Sequence, residues 1–461
     1  MPAAEPRQPG ASSAFQSRSF RNYQIARFVV ILGAEAQSVA VAWQIYQLTH
    51  SALLLGSTGL ALFLPGILFV LPAGHTADRY NRKRVILICY GLQMLCSAAL
   101  FVISYLGFRS VVAIYALLFC IGLGRAFSGP AASAILPQLV PKESFVNAMT
   151  WGSAVFQTAN ISGPALGGLL FTITLHGAAT RLSGAPLVYL ITLITQACFL
   201  ALVNTLQPRN EATEKKAFTL EAMLVGLRYV RHARLLLGSI SLDMFAVLLG
   251  GAVSLMPIFA QDILHAGARG LGVLRAAPAV GALIVSITLA RSPIRHRAGK
   301  LMLVCVGIFG AATVVFGLAK PICSAIGKLM PHGRISLLYG HHQNPALWLS
   351  LFMLVVIGAT DNVSVIVRSS ILQLGTPPQM RGRVSAVNAL FLGMSNEFGE
   401  FESGVTAHWF GAVRAVVLGG IGSMMVTGLW AVFFPPLRRV DTLTPEELLS
   451  ANASSVSEPI D

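Results

Sequence analysis

The sequence predicts an all-α membrane protein: twelve transmembrane helices in two pseudo-symmetric six-helix bundles. Three observations carry that prediction. Of 461 residues, 55% are hydrophobic and only 11% charged, whereas an ordinary soluble domain carries about 25% charged residues. That shortfall leaves too little charge to coat a globular surface. Apolar runs of bilayer length, about 20 residues each, recur along the whole chain. A weak internal repeat relates the two halves.

The first six apolar runs lie at roughly 22–48, 52–77, 84–107, 110–136, 143–174 and 185–205. The second six lie at roughly 235–264, 268–290, 300–319, 347–372, 384–409 and 412–435. Several exceed the thickness of the hydrocarbon core, so tilt is expected. Residues 1–20 are polar and lack the apolar core of a cleavable leader. The expected organisation is an N-terminal bundle over 1–205 with a short tail, a cytoplasmic linker over 206–234, a C-terminal bundle over 235–440 and a tail over 441–461. Within the linker, Leu220, Met223, Leu224, Leu227 and Val230 recur at helical spacing among Glu221, Arg228 and Arg231, the pattern of a helix lying in the membrane interface. Residues 320–346, with Lys328, His332, Arg334, His341 and His342, read as a long outside loop.

The charges orient the chain. Of 33 Lys and Arg, Arg109, Arg181, Arg269, Lys320, Lys328, Arg334 and Arg414 fall on one side and Arg27, Arg125, Arg275 and Arg368 within spans. The rest gather on the other side with both termini, which the positive-inside bias makes the cytoplasm. The net charge of +15 therefore reports topology, and no nucleic-acid partner is expected. The six cysteines form no CxxC pair and no Cys/His cluster, so no disulfide framework, metal site or cofactor is expected. There is no phosphate-binding loop of the G-x-x-x-x-G-K-[ST] type and no hydrolytic constellation, so the chain does not read as an enzyme.

The repeat is specific. Asn147-Ala148, Gly152 and Ser162-Gly163 recur as Asn388-Ala389, Gly393 and Ser403-Gly404, all offset by 241 residues. Two parallel six-helix halves are the plan of the major facilitator superfamily, and three motifs carry the resemblance. The loop Gly74-His75-Thr76-Ala77-Asp78-Arg79-Tyr80-Asn81-Arg82-Lys83-Arg84 resembles the superfamily's G-x-x-x-D-R-x-G-R-R signature. In it Gly74 permits close helix approach, Asp78 at a helix end can pair with Arg or a neighbouring helix N-terminus, and Arg79, Arg82 and Arg84 hold the loop inside. Asn81 stands where the signature has Gly and is expected in a left-handed turn. Arg125, four residues before Gly129, resembles the helix-four motif; an Arg in an apolar helix is costly and must find a partner or a wet cavity. Gly163-Pro164-Ala165-Leu166-Gly167-Gly168 resembles the G-P-x-x-G-G motif of exporters and antiporters, with Pro164 permitting a kink and the glycines close packing. Glu35, Asp243, Asp361, Glu397, Glu400 and Glu402 are carboxylates within spans, where charge is expensive, and are candidates for handling protons or substrate. Glu397 and Glu400 share a helix face by their spacing; Glu402 points elsewhere.

Phe20-Arg21-Asn22-Tyr23, Trp43 to Thr49, Arg381 to Asn388 and Ser395 to Gly404 are similar to the enterobactin-exporter-like, or transmembrane secretion effector, subfamily. That resemblance implies a secondary transporter of the cell inner membrane, a monomer whose partners are the lipid bilayer, a small-molecule substrate and protons, with efflux of a siderophore or other hydrophobic small molecule by alternating access. The alternatives are a lipid or drug transporter of another mode and a non-transporting receptor or scaffold on the same fold. On this reading Asp78 and the Arg cluster latch the cytoplasmic side and favour the outward-open state. Asp78→Asn is expected to insert normally, lower transport and raise cysteine labelling of the cytoplasmic cavity; unchanged transport and labelling would count against the latch.

Overall fold

A computed structural model describes residues 13–141, 144–171, 173–176, 181–207, 220–251, 254–292, 294–329, 344–377 and 380–453. The first half contains α1 (Arg18–Thr49), α2 (Ala52–Leu68), α3 (Val70–Arg79), α4 (Arg82–Tyr105), α5 (Val111–Ile135), α6 (Phe145–Leu170) and α7 (Ala185–Asn204). The second contains α8 (Leu220–His232), α9 (Arg234–Leu249), α10 (Met256–Ile258) running into a π-turn over Phe259–Ile263, α11 (Gly267–Arg291), α12 (Ala298–Gly317), α13 (Ala319–Leu329), α14 (Pro345–Leu374), α15 (Arg381–Phe410), α16 (Ala412–Phe433), α17 (Pro435–Arg439) and α18 (Pro445–Ala453).

Among the described residues eight helices are long and apolar enough to cross a membrane, or nine if the bent pair α8–α9 is one span. A helix also occupies each of the other four expected positions. α2 is short, with 17 residues, and α15 carries three carboxylates. Large apolar side chains on the outer faces, Ile88, Leu95, Val112 and Val432 among them, are exposed, as expected of surfaces that meet lipid.

Two expected spans are interrupted. The second breaks at Phe69 between α2 and α3, because Pro72 has no N–H to return to the Leu68 carbonyl. The seventh ends as a regular helix at Leu249, where Gly250 and Gly251 follow and weaken helix propagation. The fifth stops at Leu170, short of its expected end, and a two-stranded antiparallel hairpin follows: β1 (Thr174–His176) pairs with β2 (Arg181–Ser183). The expected outside loop begins as helix α13; His332, Arg334, His341 and His342 lie outside the described residues.

By contacts the chain forms two compact units, Met1–Val41 with Leu64–Phe218, and Ala42–Phe63 with Thr219–Asp461. The first is cored by Phe20, Tyr23, Ile86, Ile135, Phe199 and Val203. The second is cored by Leu235, Leu236, Met302, Val367, Ile371 and Leu437. The amphipathic linker segment is helical as α8. Val230 is buried while Leu224 and Leu227 stay exposed, and the axis turns by 103° into α9.

The C-terminal segment, read from sequence as a tail, docks onto the second unit. Leu448 of α18 is fully buried and Asn452 donates to the Gly375 carbonyl. Glu447 accepts from the Asp441 and Thr442 amides. Asp441 in turn accepts from the His296 ring at 3.0 Å and the Arg297 amide at 2.9 Å, and the His296 contact is the main reason its carboxyl is held below the ordinary carboxylate range.

Candidate transport site

In the first unit the helix-five motif sets how close two helices come. A Cβ on Gly167 would lie 2.8 Å from Ala36 Cα and from Ala36 O, and one on Gly163 would run into the Glu35 side chain and sit 3.0 Å from Leu32 O. Glycine is thus required at both positions, and α6 crosses α1 at backbone contact. Gly168 is buried behind them and Pro164 lies inside the helix. This crossing fixes Glu35 against α6.

Two and three turns toward the start of α1, α1 and α6 with α4, α5 and α7 frame a cavity of about 530 Å³, whose walls include Tyr23, Arg27, Tyr90, Gly129, Phe156 and Phe199. Arg27 is its cation. Its guanidinium sits 5.6 Å from the Phe156 ring centroid and donates to the Gly152 carbonyl at 3.5 Å. A guanidinium over an aromatic face remains strongly attractive for an anion while its hydration is reduced. Gly129 contributes open wall, since a Cβ there would touch nothing within 4 Å. Arg125 is exposed.

The signature loop is compact. Asp78 falls in the last turn of α3, and its side chain lies outside the described set. Asn81 has φ −62° and ψ 115° and caps α4 by accepting from the Arg84 amide, so it is not in the expected left-handed turn; a capping side chain satisfies one of the helix's orphan amides. Arg79 is exposed, Arg82 half-buried, and Gly74 buried. Lys83 donates to the Asn204 and Leu206 carbonyls at 2.6 and 2.9 Å, covering the end of α7 with a cation as the helix dipole favours.

In the second unit Asp243 of α9 forms an ion pair with Arg368 of α14, with both side chains buried. Asp361, two turns earlier on α14, lines the same small pocket as Asp243, together with Thr360 and Ser364. Two carboxylates therefore line one small space, and one of them, Asp243, is paired with Arg368. On α15, Glu397 and Glu400 converge on Gly59 of α2. A Cβ on Gly59 would lie 2.5 Å from Glu397 Oε2 and 2.7 Å from Glu400 Oε2, which brings the two carboxylates within about 5 Å of each other. Glu402 lies on another face, accepting from Thr406 at 2.6 Å. Below them α15 and α2 touch, since a Cβ on Gly404 would lie 2.8 Å from Ala52 O and 2.9 Å from Gly56 Cα. Tyr46 donates to Asp262 on the π-turn.

Sequence reasoning had not singled out Arg27, Tyr46, Asp262 or Arg368 as site residues. The signal for the two arginines was present, because each is a charge inside an apolar helix.

A sequence profile described as transmembrane secretion effector matches residues 10–335. The chain belongs to that family, within the major facilitator superfamily. It is 29% identical over 410 residues to the enterobactin exporter EntS of Shigella dysenteriae serotype 1, covering 88% of this chain and 86% of that one. It is 28% identical over 410 residues to the enterobactin exporter EntS of Escherichia coli O81, with the same coverage. In fold it resembles a bacterial homologue of the human lysosomal transporter Spinster, with TM-score 0.64 and 14% identity over 96% of this chain and 99% of the other. It also resembles a POT family transporter crystallised with 5-aminolevulinic acid, with TM-score 0.64 and 13% identity over 93% and 98%. The protein is thus a multi-pass secondary transporter of a small molecule and not an enzyme, which sets aside the scaffold alternative.

The ion pair makes a sharp prediction. Arg368→Gln leaves Asp243 buried without its cation and should lower stability by about 3–5 kcal/mol, read as thermal unfolding in detergent. The double variant Asp243→Asn/Arg368→Gln should recover most of that loss. Equal loss in single and double variants would show that Arg368 acts through packing alone.

Proposed function

We propose that the chain is a proton-driven exporter of an aromatic, anionic small molecule of the siderophore class. It acts by alternating access, as a monomer, in the cell inner membrane with both termini in the cytoplasm. The observation that carries the substrate class is the Arg27 cavity: a single guanidinium among Tyr23, Tyr90, Phe156 and Phe199. Aromatic walls stack an aromatic ligand, and the cation pairs with its negative charge. The relatives named as enterobactin exporters support the same direction of transport and class of cargo. The excess of Lys and Arg on one side supports the orientation.

Coupling is assigned to Glu397 and Glu400. Two carboxylates within about 5 Å repel strongly at low dielectric, and a single proton held between them relieves that repulsion. Asp243 serves instead as the fixed counter-ion of Arg368. Glu35, pressed on Gly163, and Asp361, beside Asp243, are the remaining candidates.

Arg27→Gln should lower export of an aromatic siderophore from cells at least tenfold, with normal insertion. Arg27→Lys should recover part of the activity, because a point charge replaces the planar group. Export unchanged in Arg27→Gln would refute the substrate-site reading.

In proteoliposomes, Glu397→Gln or Glu400→Gln should abolish accumulation driven by a proton gradient while leaving substrate exchange intact. Glu402→Gln should keep both. Wild-type proton movement in both Glu397→Gln and Glu400→Gln would exclude the pair as the carrier.

A further inference from the structure

At the end of the second unit where α12 begins and α17 ends, four cations surround an open cavity of about 510 Å³: Arg297, Lys300, Arg438 and Arg439. Asp441 is the one carboxylate in its wall, and it is already committed to the His296 ring and the Arg297 amide. Four like charges gathered in one concavity sum to a local positive potential that attracts an anion.

The cavity is built rather than incidental. Arg297 has φ 58°, a left-handed conformation that is strained for a non-glycine residue of its kind. The Asp441 contact holds it there. The backbone behind it is closed, with Ala298 N and Gly299 N donating to the Asp441 and Val440 carbonyls at 3.0 and 3.1 Å. A Cβ on Gly299 would collide with the Leu437 carbonyl, so glycine lets α17 seat directly on the first turn of α12. The first amides of α12 are therefore satisfied, and the four side chains, all exposed, are what the cavity offers a ligand.

Its position selects the ligand. The cavity lies where two spanning helices, α12 and α16, meet water on the side richest in Lys and Arg. Beyond it along those helices run exposed apolar side chains: Val304 and Ile308 on α12, Leu429, Val432 and Phe433 on α16. A phosphate group placed among the cations would leave acyl chains against those faces, and the cytoplasmic leaflet is where basic pockets meet anionic headgroups.

We infer that Arg297, Lys300, Arg438 and Arg439 form a binding site for the phosphate headgroup of an anionic phospholipid. The inference is independent of the transported substrate. Free phosphate shares the headgroup chemistry but has no use for the apolar faces.

The test uses the full-length protein in a mild detergent, titrated with phosphatidylglycerol or phosphatidylcholine and read by native mass spectrometry. The wild type should hold phosphatidylglycerol at least tenfold more tightly than phosphatidylcholine. Each cation removed should weaken phosphatidylglycerol about fivefold, so Arg438→Gln/Arg439→Gln should lose about 25-fold with phosphatidylcholine unaffected. Arg438→Lys/Arg439→Lys should stay near wild type, and Arg414→Gln, on the opposite side of the membrane, should change nothing. If the double variant aggregates, Lys300→Gln carries the test with its expected fivefold loss. Equal retention of phosphatidylglycerol by wild type and the Gln variants would overturn the site. Complete displacement of the lipid by millimolar inorganic phosphate would overturn the lipid assignment in favour of a soluble anion.

Discussion

Helices in a bilayer gain nothing from hiding apolar side chains, because lipid tails are as apolar as leucine. What holds them together is close van der Waals contact, and contact is closest where a side chain is missing. In this chain close crossings are made by glycine: Gly163 and Gly167 seat α6 on α1, and Gly56 with Gly404 brings α2 to α15 at backbone distance. The functional side chains take their positions from these crossings. Glu35 is pinned by the first, Arg27 lines the cavity it frames, and Glu397 and Glu400 converge one to two turns along from the second.

Charge within the bilayer obeys a second constraint, that each ion be paired or solvated. The chain meets it in three ways. Arg368 and Asp243 neutralise one another within the second unit. Arg27 rests on an aromatic face beside a carbonyl and opens onto a cavity. In the function proposed above, a proton shared between Glu397 and Glu400, which converge on Gly59, meets it for that pair. The Arg368–Asp243 pair is fixed within the packing, and the proposed substrate and proton sites are where a ligand would arrive and depart.

Much of this was legible in the sequence and some was not, for identifiable reasons. Hydropathy reports whether a segment prefers lipid, so all twelve helical positions were visible. It is blind to the hydrogen-bond ladder, so the interruptions at Phe69 and after Leu249 were hidden inside runs that stay apolar. The motif glycines, and the shared face of Glu397 and Glu400, follow from local spacing and could be read directly. The partner of Arg368 could not, since Asp243 lies on a helix far away in sequence, and the spacing of Asp361, two turns off on the same helix, says only that it is too distant to pair directly. Asn81 shows how one residue type serves two purposes: its short amide tolerates a left-handed turn, but here it caps α4. The short amphipathic α13 and the hairpin after α6 lie below the length at which periodicity separates helix, strand and loop.

The elbow at Ala233 has a mechanical meaning. α8 and α9 stand at 103° about a fully buried alanine, two rigid arms on one fulcrum. The short arm is 13 residues, about 20 Å at the helical rise, and Leu224 and Leu227 on it are exposed. Gly226 on that arm rests against the Arg383 backbone, at the root of the helix that bears Glu397 and Glu400, while the long arm carries Asp243. A rotation of the short arm would therefore shift the root of α15 and the start of α9 together, because Gly226 touches the one and Ala233 joins it to the other.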